Sequence, residues 1–299
     1  MDRYTEMQIF VRVAESGSLS ATAERMNIAK SAVSRRLAEL ESRLGVQLLH
    51  RTTRRISLTE SGRHYFQQAQ RLLADLEEVE QSVASEHTHL RGLLRLAVPL
   101  SFGIRHLAPL FDEFMLQHPD VQLELNLDDR TVNLLEEGLD LAIRIGMLAD
   151  STLMARRLAT VQQIVCASPQ YLEQFGEPHS PEELKQHAAL NYSNVPESQL
   201  WQFSLPGHKT LNVRPRVRMR ANNGDVLLQA AIDGLGILVS PDFICRDAIG
   251  QGLLRPMLSD YPQPDLHVYA IYPAQRHLPR RVRVLIDFLA NKLQVARSK

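Results

Sequence analysis

Apolar positions in the first ninety residues recur at helical spacing and stop at turn-forming residues. Leu19, Ala23 and Met26 share one face of a short helix. Ser18 precedes it as an N-cap, because a serine oxygen accepts an otherwise unpaired backbone N–H. Asn27-Ile28 leaves room only for a tight turn between two adjacent helices. Val33, Leu37, Leu40 and Leu44 then recur at steps of four, three and four, an apolar stripe that Gly45 ends. Two short strand-like runs, 48–51 and 55–58, flank Thr52-Thr53-Arg54 and predict a β-wing. Beyond them Tyr65, Ala69, Leu72, Leu76, Val79 and Val83 form a heptad seam among glutamines and acids. So narrow a stripe on a lone helix needs a partner: a second copy, or the helix's own domain.

From Leu93 the pattern changes to alternating strands and helices. Strands are expected at 94–98, 121–127, 139–145, 163–167, 237–239 and 267–272. Helices are expected at 104–116, 132–137 (closed by Gly138), 225–232 and 279–293. Alternation at this pitch implies parallel sheet in α/β layers.

Charge separates the two regions. The chain has 299 residues and zero formal net charge, yet Arg25–Arg55 carries eight cations against two anions, a local net of +6. The helix face opposite the Val33 stripe bears Ser31, Arg35 and Ser42, with Ser34 on its flank. An arginine binds a guanine edge bidentately and serines bond bases or phosphates, so this face suits a major-groove reader. The wing arginines Arg51, Arg54 and Arg55 suit phosphates or the minor groove. Localised basic charge is the footprint of a nucleic-acid site.

Composition excludes several classes. The first residues are polar and lack the apolar stretch of a secretory signal, and no apolar run reaches membrane-spanning length. Two cysteines, Cys166 and Cys245, argue against a disulfide framework. Together these point to the cytoplasm with no membrane partner. The cysteines read as small buried hydrophobes, with a redox switch as the alternative. His87 and His89 lie two apart and cannot converge on one metal from a helix, and no cofactor is expected. No Walker loop, zinc-protease motif or Gly-x-Ser-x-Gly elbow occurs, so an enzyme is not expected. Gly234-Leu235-Gly236 follows a helix and precedes a strand, the reverse of a dinucleotide loop. A solute-binding protein leaves the basic head unexplained, and a non-sensing DNA-binding protein leaves the α/β region unexplained.

Five segments carry a family resemblance: FVRVAESGSLS (10–20), SAVSR (31–35), LESRLGVQLL (40–49), RTTRR (51–55) and LTESG (58–62). In this order they resemble the LysR-type transcriptional regulators. The resemblance implies a winged helix-turn-helix DNA-binding domain, a long linker helix and an α/β two-lobed effector domain like periplasmic binding proteins. The expected bounds are 1–61, 62–91 and 92–299, with lobe I from 93–161 and 266–299 and lobe II from 162–265. DNA contacts are expected from Ser20, Lys30, Ser31, Ser34, Arg35, Arg36, Arg51, Arg54 and Arg55. The heptad seam would pair in a homodimer or homotetramer. One departure stands out: the family commonly places Ser-Pro where Ala29-Lys30 stands here. Alanine caps poorly, and Lys30 adds a charge expected to meet a phosphate.

The implied effector site lies between the lobes. Strand 94–98 runs into Pro99-Leu100-Ser101-Phe102-Gly103 ahead of a helix, where ligands of such sheets gather. Asn222-Asn223-Gly224-Asp225 opens another helix on the facing lobe. Two helix N-termini favour a carboxylate-bearing, anionic small molecule. Leu100, Ser101, Phe102, Asp129, Arg144, Trp201 and Asn222 are the expected lining. Double-stranded promoter DNA, the effector, RNA polymerase and further copies of the chain are the expected partners.

Overall fold

The structure is a computed structural model. It describes residues 2–51, 56–84, 89–130, 132–146, 153–194, 200–205, 209–274 and 278–295. The chain divides into two compact units, Met1–His89 and Leu90–Lys299.

The first unit begins with α1 (Arg3–Ser16), α2 (Leu19–Met26) and α3 (Lys30–Leu44). Ser18 Oγ accepts from Ala21 N, and Asn27 ends α2 in the left-handed conformation with φ 53°. The short antiparallel strands β1 (Leu49–Arg51) and β2 (Ile56–Leu58) form the wing, and α4 (Glu60–Ala84) leaves it. Ile9, Phe10 and Val13 of α1 meet Val33, Leu37 and Leu40 of α3 in one core, all fully buried. Each contributes about 1.5–3 kcal/mol relative to exposure. Leu44, predicted to continue that stripe, is 37% exposed, because the stripe has rotated off the core by the last turn.

Contacts between segments distant in sequence set the wing's position. Glu41 Oε1 accepts from the backbone N–H of Leu48 and of Leu49 at 2.8 and 3.1 Å. Thr59 Oγ1 donates to Gln47 O at 2.8 Å and accepts from Gly62 N at 2.9 Å. A Cβ at position 62 would lie 1.9 Å from Leu48 O, so the backbones approach as only glycine permits. Glu6 is fully buried and accepts from Arg43 Nη2 at 2.7 Å, tying α1 to the end of α3.

The heptad seam divides in two. Tyr65 packs edge-on to Phe10 at 5.3 Å, and Ala69 is buried in the same core, so the head absorbs the start of the seam. Leu72 and Leu76 are 58% and 39% exposed. The side chains of Val79 and Val83 lie outside the described residues, as does the 85–88 stretch before His89.

The second unit runs β3 (Arg91–Val98), α5 (Leu100–Phe102), a π-turn (Gly103–Leu107), α6 (Ala108–Gln117), β4 (Asp120–Leu127), β5 (Leu141–Gly146) and β6 (Leu153–Val161). It continues through β7 (Gln163–Ala167), α7 (Pro169–Phe175), a 3-10 turn (Pro181–Gln186), β8 (Ala188–Tyr192), β9 (Trp201–Leu205), β10 (Lys209–Val213) and β11 (Arg216–Ala221). Then come α8 (Gly224–Ile232), β12 (Ile237–Pro241), α9 (Asp242–Gly250), β13 (Arg255–Met257), β14 (Leu266–Pro273) and α10 (Arg280–Val295).

Two five-stranded sheets result, β4-β3-β5-β14-β6 in lobe I and β11-β8-β12-β7-β13 in lobe II. Both are mixed, not parallel as the alternation suggested. β14 returns from lobe II and lies antiparallel to β5 and β6, and β7 is antiparallel to β12 and β13. The chain crosses between lobes at Gln162 and again before Leu266. Gln163 Nε2 donates to Pro264 O at 2.9 Å, joining the crossings.

Two predicted helices are altered. The 104–116 helix is split: Pro109 has no N–H to give the α-helical ladder, and Ala108 N bonds Gly103 O across a π-turn instead. Residues 132–137 form turns and no helix, because Asn133 Oδ1 accepts from Leu135 N at 3.2 Å and offers the backbone a competing partner. Gly234 and Gly236 follow α8, with Leu235 N closing on Ala230 O at 3.0 Å, a helix end as expected.

Candidate functional site

In the head, α3 begins at Lys30 with Ala29 as a cap that supplies no side-chain bond. Ser20, Glu24, Asn27 and Lys30 line one open groove across the helix-to-helix turn. Ser31 and Arg35 are exposed along the first turns of α3, with Ser34 half-covered beside them. The Arg35 side chain is 69% exposed, and it and Arg36 reach Glu39 only at 3.9 and 3.5 Å. At such distances, and with Arg35 so exposed, these pairs hold the guanidinium groups only loosely. The structure thus brings Ser20, Lys30, Ser31, Ser34, Arg35 and Arg36 to the solvent side of the turn and α3. Arg54 and Arg55 lie outside the described residues, as does the Arg51 side chain. The wing strands are in register, His50 facing Ser57.

In the second unit the lobes meet along a polar seam. Ser101 of lobe I donates from Oγ to Asp225 Oδ2 at 2.5 Å and accepts from Asn223 Nδ2 at 3.5 Å. Arg105 pairs with Asp225 and donates to the backbone oxygens of Phe243 and Ile244 at 3.3 and 3.5 Å. Asp129, in the loop after β4, accepts from Leu100 N at 3.0 Å, with the Asn223 and Tyr192 side chains nearby. Asn194 Nδ2 donates to Asp129 O at 2.8 Å. The Phe102 and Phe243 rings meet edge-on at 5.2 Å, each also beside His106.

Burial shapes the electrostatics here. Desolvation raises the Asp129 carboxyl above its ordinary value, opposed by the Leu100 N–H. Burial, then the adjoining Asp129 charge, push the Tyr192 phenol up to about 12. Arg144, half-buried in β5, has its pKa lowered by desolvation. A desolvated guanidinium gains from an anionic neighbour.

The expected lining is brought together only in part. Leu100, Ser101, Phe102 and Asp129 stand on the seam, and Arg144 interacts electrostatically with Tyr192 and Asp129 there. Trp201 does not join them. It is 8% exposed and packed with Tyr171 and Phe203, and its indole N–H donates to Asn191 Oδ1 at 3.2 Å. Strand alternation puts Asn191 and Tyr192 on opposite faces of β8, so Trp201 belongs to the core away from the seam. Asn222 is exposed, and the cap of α8 is Asn223, whose Oδ1 accepts from Asp225 N and Val226 N. Arg105, Tyr192 and Asn194 carry no periodic signal, and Asp225 enters the sequence reading only as part of the Asn222–Asp225 helix start.

Both expected helix N-termini are already occupied. Asp129 sits on the N–H that opens α5, and Asn223 Oδ1 takes the Asp225 and Val226 N–H groups at the start of α8. Among the described residues no helix is long and apolar enough to cross a membrane, and no His/Cys/Asp/Glu group has the arrangement of a metal site.

A basic three-helix head with a wing, followed in the chain by a two-lobed α/β unit whose lobes meet on a polar seam, defines a DNA-binding regulator with a substrate-binding domain. Residues 4–63 match the bacterial regulatory helix-turn-helix protein, lysR family, and residues 87–294 match the LysR substrate binding domain. The chain belongs to the LysR family of transcriptional regulators. An HTH-type transcriptional regulator of Xanthomonas campestris pv. campestris (strain 8004) is 38% identical over 288 residues, covering 95% of this chain and 84% of that one. CrgA of Neisseria meningitidis serogroup C is 36% identical over 289 residues, covering 96% of each. Among solved structures, full-length AphB of Vibrio cholerae, a virulence activator, superposes with a TM-score of 0.60 at 31% identity, over 96% of this chain and 98% of that one. CrgA from Neisseria meningitidis superposes with a TM-score of 0.59 at 36% identity, over 97% and 98%. These relatives are regulators, not enzymes.

Proposed function

We propose that the chain reads a two-fold operator through Ser20, Lys30, Ser31, Ser34, Arg35 and Arg36, with the wing arginines on the backbone, and that a small carboxylate binding at the interlobe seam controls it. The observation that carries the effector reading is the Asp225 carboxylate on Ser101 Oγ and Arg105. Asp225 holds the seat an effector carboxylate requires. An anion arriving there exchanges with Asp225, and Arg144 supplies further positive charge. Exchange releases one lobe from the other. A ligand shifts such an equilibrium only as far as it prefers one arrangement. A second copy of α4 covers Leu72 and Leu76, giving a homodimer or, through further contacts, a homotetramer. A change in head spacing then alters DNA bending and the access of RNA polymerase.

Titration of the full chain with a panel of small carboxylates, amines and neutral analogues tests this. The expected result is binding confined to carboxylates, weakened by Ser101→Ala and strengthened by Asp225→Ala. Binding confined to amines or neutral ligands overturns the carboxylate assignment. Equal affinity for the divergent promoter beside the coding gene and for random duplex at moderate salt overturns the operator reading.

A further inference from the structure

Cys166 lies within β7, paired with Leu238 of β12 on one side and Pro256 of β13 on the other. Cys245 lies on the first turns of α9. Both are free thiols with no exposed surface, and their sulfurs are 3.7 Å apart. A disulfide needs about 2.05 Å, so α9 and β7 have only a short approach to make. The residues just before Cys245 are Phe243 and Ile244, whose backbone oxygens accept from Arg105 of lobe I. The Phe243 ring also packs on Phe102 and His106. One turn of helix therefore holds the sulfur pair on its inner side and the other lobe on its outer side.

We propose that Cys166 and Cys245 are a covalent modification site: a small hydroperoxide converts them to a disulfide, and the bond draws the first turn of α9 toward β7, loosening its hold on Arg105. This rests on the sulfur geometry and not on the carboxylate reading of the seam. Cys245 takes the first step, because it sits on α9, the element whose opening exposes the pair, and the Cys166 and Ser240 hydrogen bonds lower its pKa against the burial that raises it. The Cys245 sulfur takes one peroxide oxygen, the O–O bond breaks, and the other oxygen leaves as water or alcohol with a thiol proton. The Cys166 sulfur then attacks the resulting sulfenic acid, the S–O bond breaks, and its hydroxyl leaves as water with the Cys166 proton. Two thiols are oxidised and one hydroperoxide is reduced. Full burial makes the reaction wait on local opening of α9, so it is slower than at an exposed thiol.

The test is to incubate the full-length native protein with hydrogen peroxide, count thiols, identify joined peptides by mass spectrometry without reduction, and follow amide hydrogen exchange. The expected result is loss of both thiols, a Cys166–Cys245 peptide pair two hydrogens lighter, and faster exchange across Gly103–Leu107 and α9. Dithiothreitol reverses all three, and Cys245→Ala shows none. Retention of both thiols under conditions that oxidise the urea-unfolded chain overturns the proposal. A joined pair with unchanged exchange at Gly103–Leu107 overturns the coupling to the seam, as does a peroxide response that persists in Cys245→Ala.

Discussion

Ser101 and Asp225 stand 124 positions apart in the chain, one on each lobe, and share a 2.5 Å hydrogen bond from the serine hydroxyl to the carboxylate. The same carboxylate pairs with Arg105, so one side chain ties two lobe I residues to α8. Asp225→Asn keeps the size and removes the charge. The expected cost is about 1 kcal/mol, since both partners of the ion pair are part-exposed and a charge-assisted bond is weakened, not left empty. Denaturant unfolding of the full chain measures it, and hydrogen exchange at Asn223–Val226 should rise in parallel. An unchanged midpoint with unchanged exchange would show that the seam is held elsewhere.

Lys30 replaces a residue that would carry no charge. Lys30→Ala is expected to weaken binding to specific and random duplex alike and to reduce the log–log salt slope by about 0.9. Arg35→Ala is expected to act differently, relaxing preference at one base position by about 1–3 kcal/mol. Fluorescence anisotropy against salt and against an operator mutation series separates the two effects.

Gly62 is where the wing backbone leans on α4. Gly62→Ala places a Cβ 1.9 Å from Leu48 O, and the obstacle is backbone, which cannot swing aside. A loss of about 1–3 kcal/mol in the head is expected. Calorimetry should show the head's transition lowered while that of the second unit stays in place.

Leu72 and Leu76 are apolar and exposed on α4, whereas Tyr65 and Ala69 already serve the head core. The double variant Leu72→Glu, Leu76→Glu is expected to keep the head's thermal transition and shift sedimentation toward the monomer. A dimer that survives both glutamates would place the interface elsewhere.

His187 is buried in lobe II against the Tyr171 hydroxyl, and burial lowers its pKa. The unfolded chain therefore takes up a proton first as pH falls through the ordinary histidine value of about 6.5. Stability contributed by the neutral ring is full above that value and is lost as pH drops toward the lowered folded value. The midpoint of lobe II unfolding should fall on acidification from neutral pH, and less steeply in His187→Gln.

Local signals in the chain were strong where local physics is strong. The Val33–Leu37–Leu40 stripe, the Ser18 cap and the Gly45 stop each rest on residues within one or two helical turns, and each is legible from spacing alone. The wing was legible as a pair of short runs, but its attachment through Glu41 and Thr59 was not, since hydrogen bonds to distant backbone leave no periodic mark. The exposure of Leu44 and the packing of Tyr65 on the head core were not legible for a related reason. Periodicity shows that a residue faces apolar surroundings, without showing which surface provides them. The places of Trp201, packed in the lobe II core, and of Asn222, one position before the α8 cap, were not legible either, since a strand's two faces and a helix's first residue are settled only by packing.

By itself the chain determined a basic helical head, a long polar-flanked helix and an α/β region with buried strands, because helix and strand periods, caps and charge clustering act over short distances. Only tertiary structure decided the mixed sheets, the Ser101–Asp225–Arg105 seam and the 3.7 Å approach of Cys166 to Cys245. Those depend on where β14 returns into lobe I and on how α8 and α9 pack, and such long-range closures are fixed by burying the whole core at once, not by any segment's own preference.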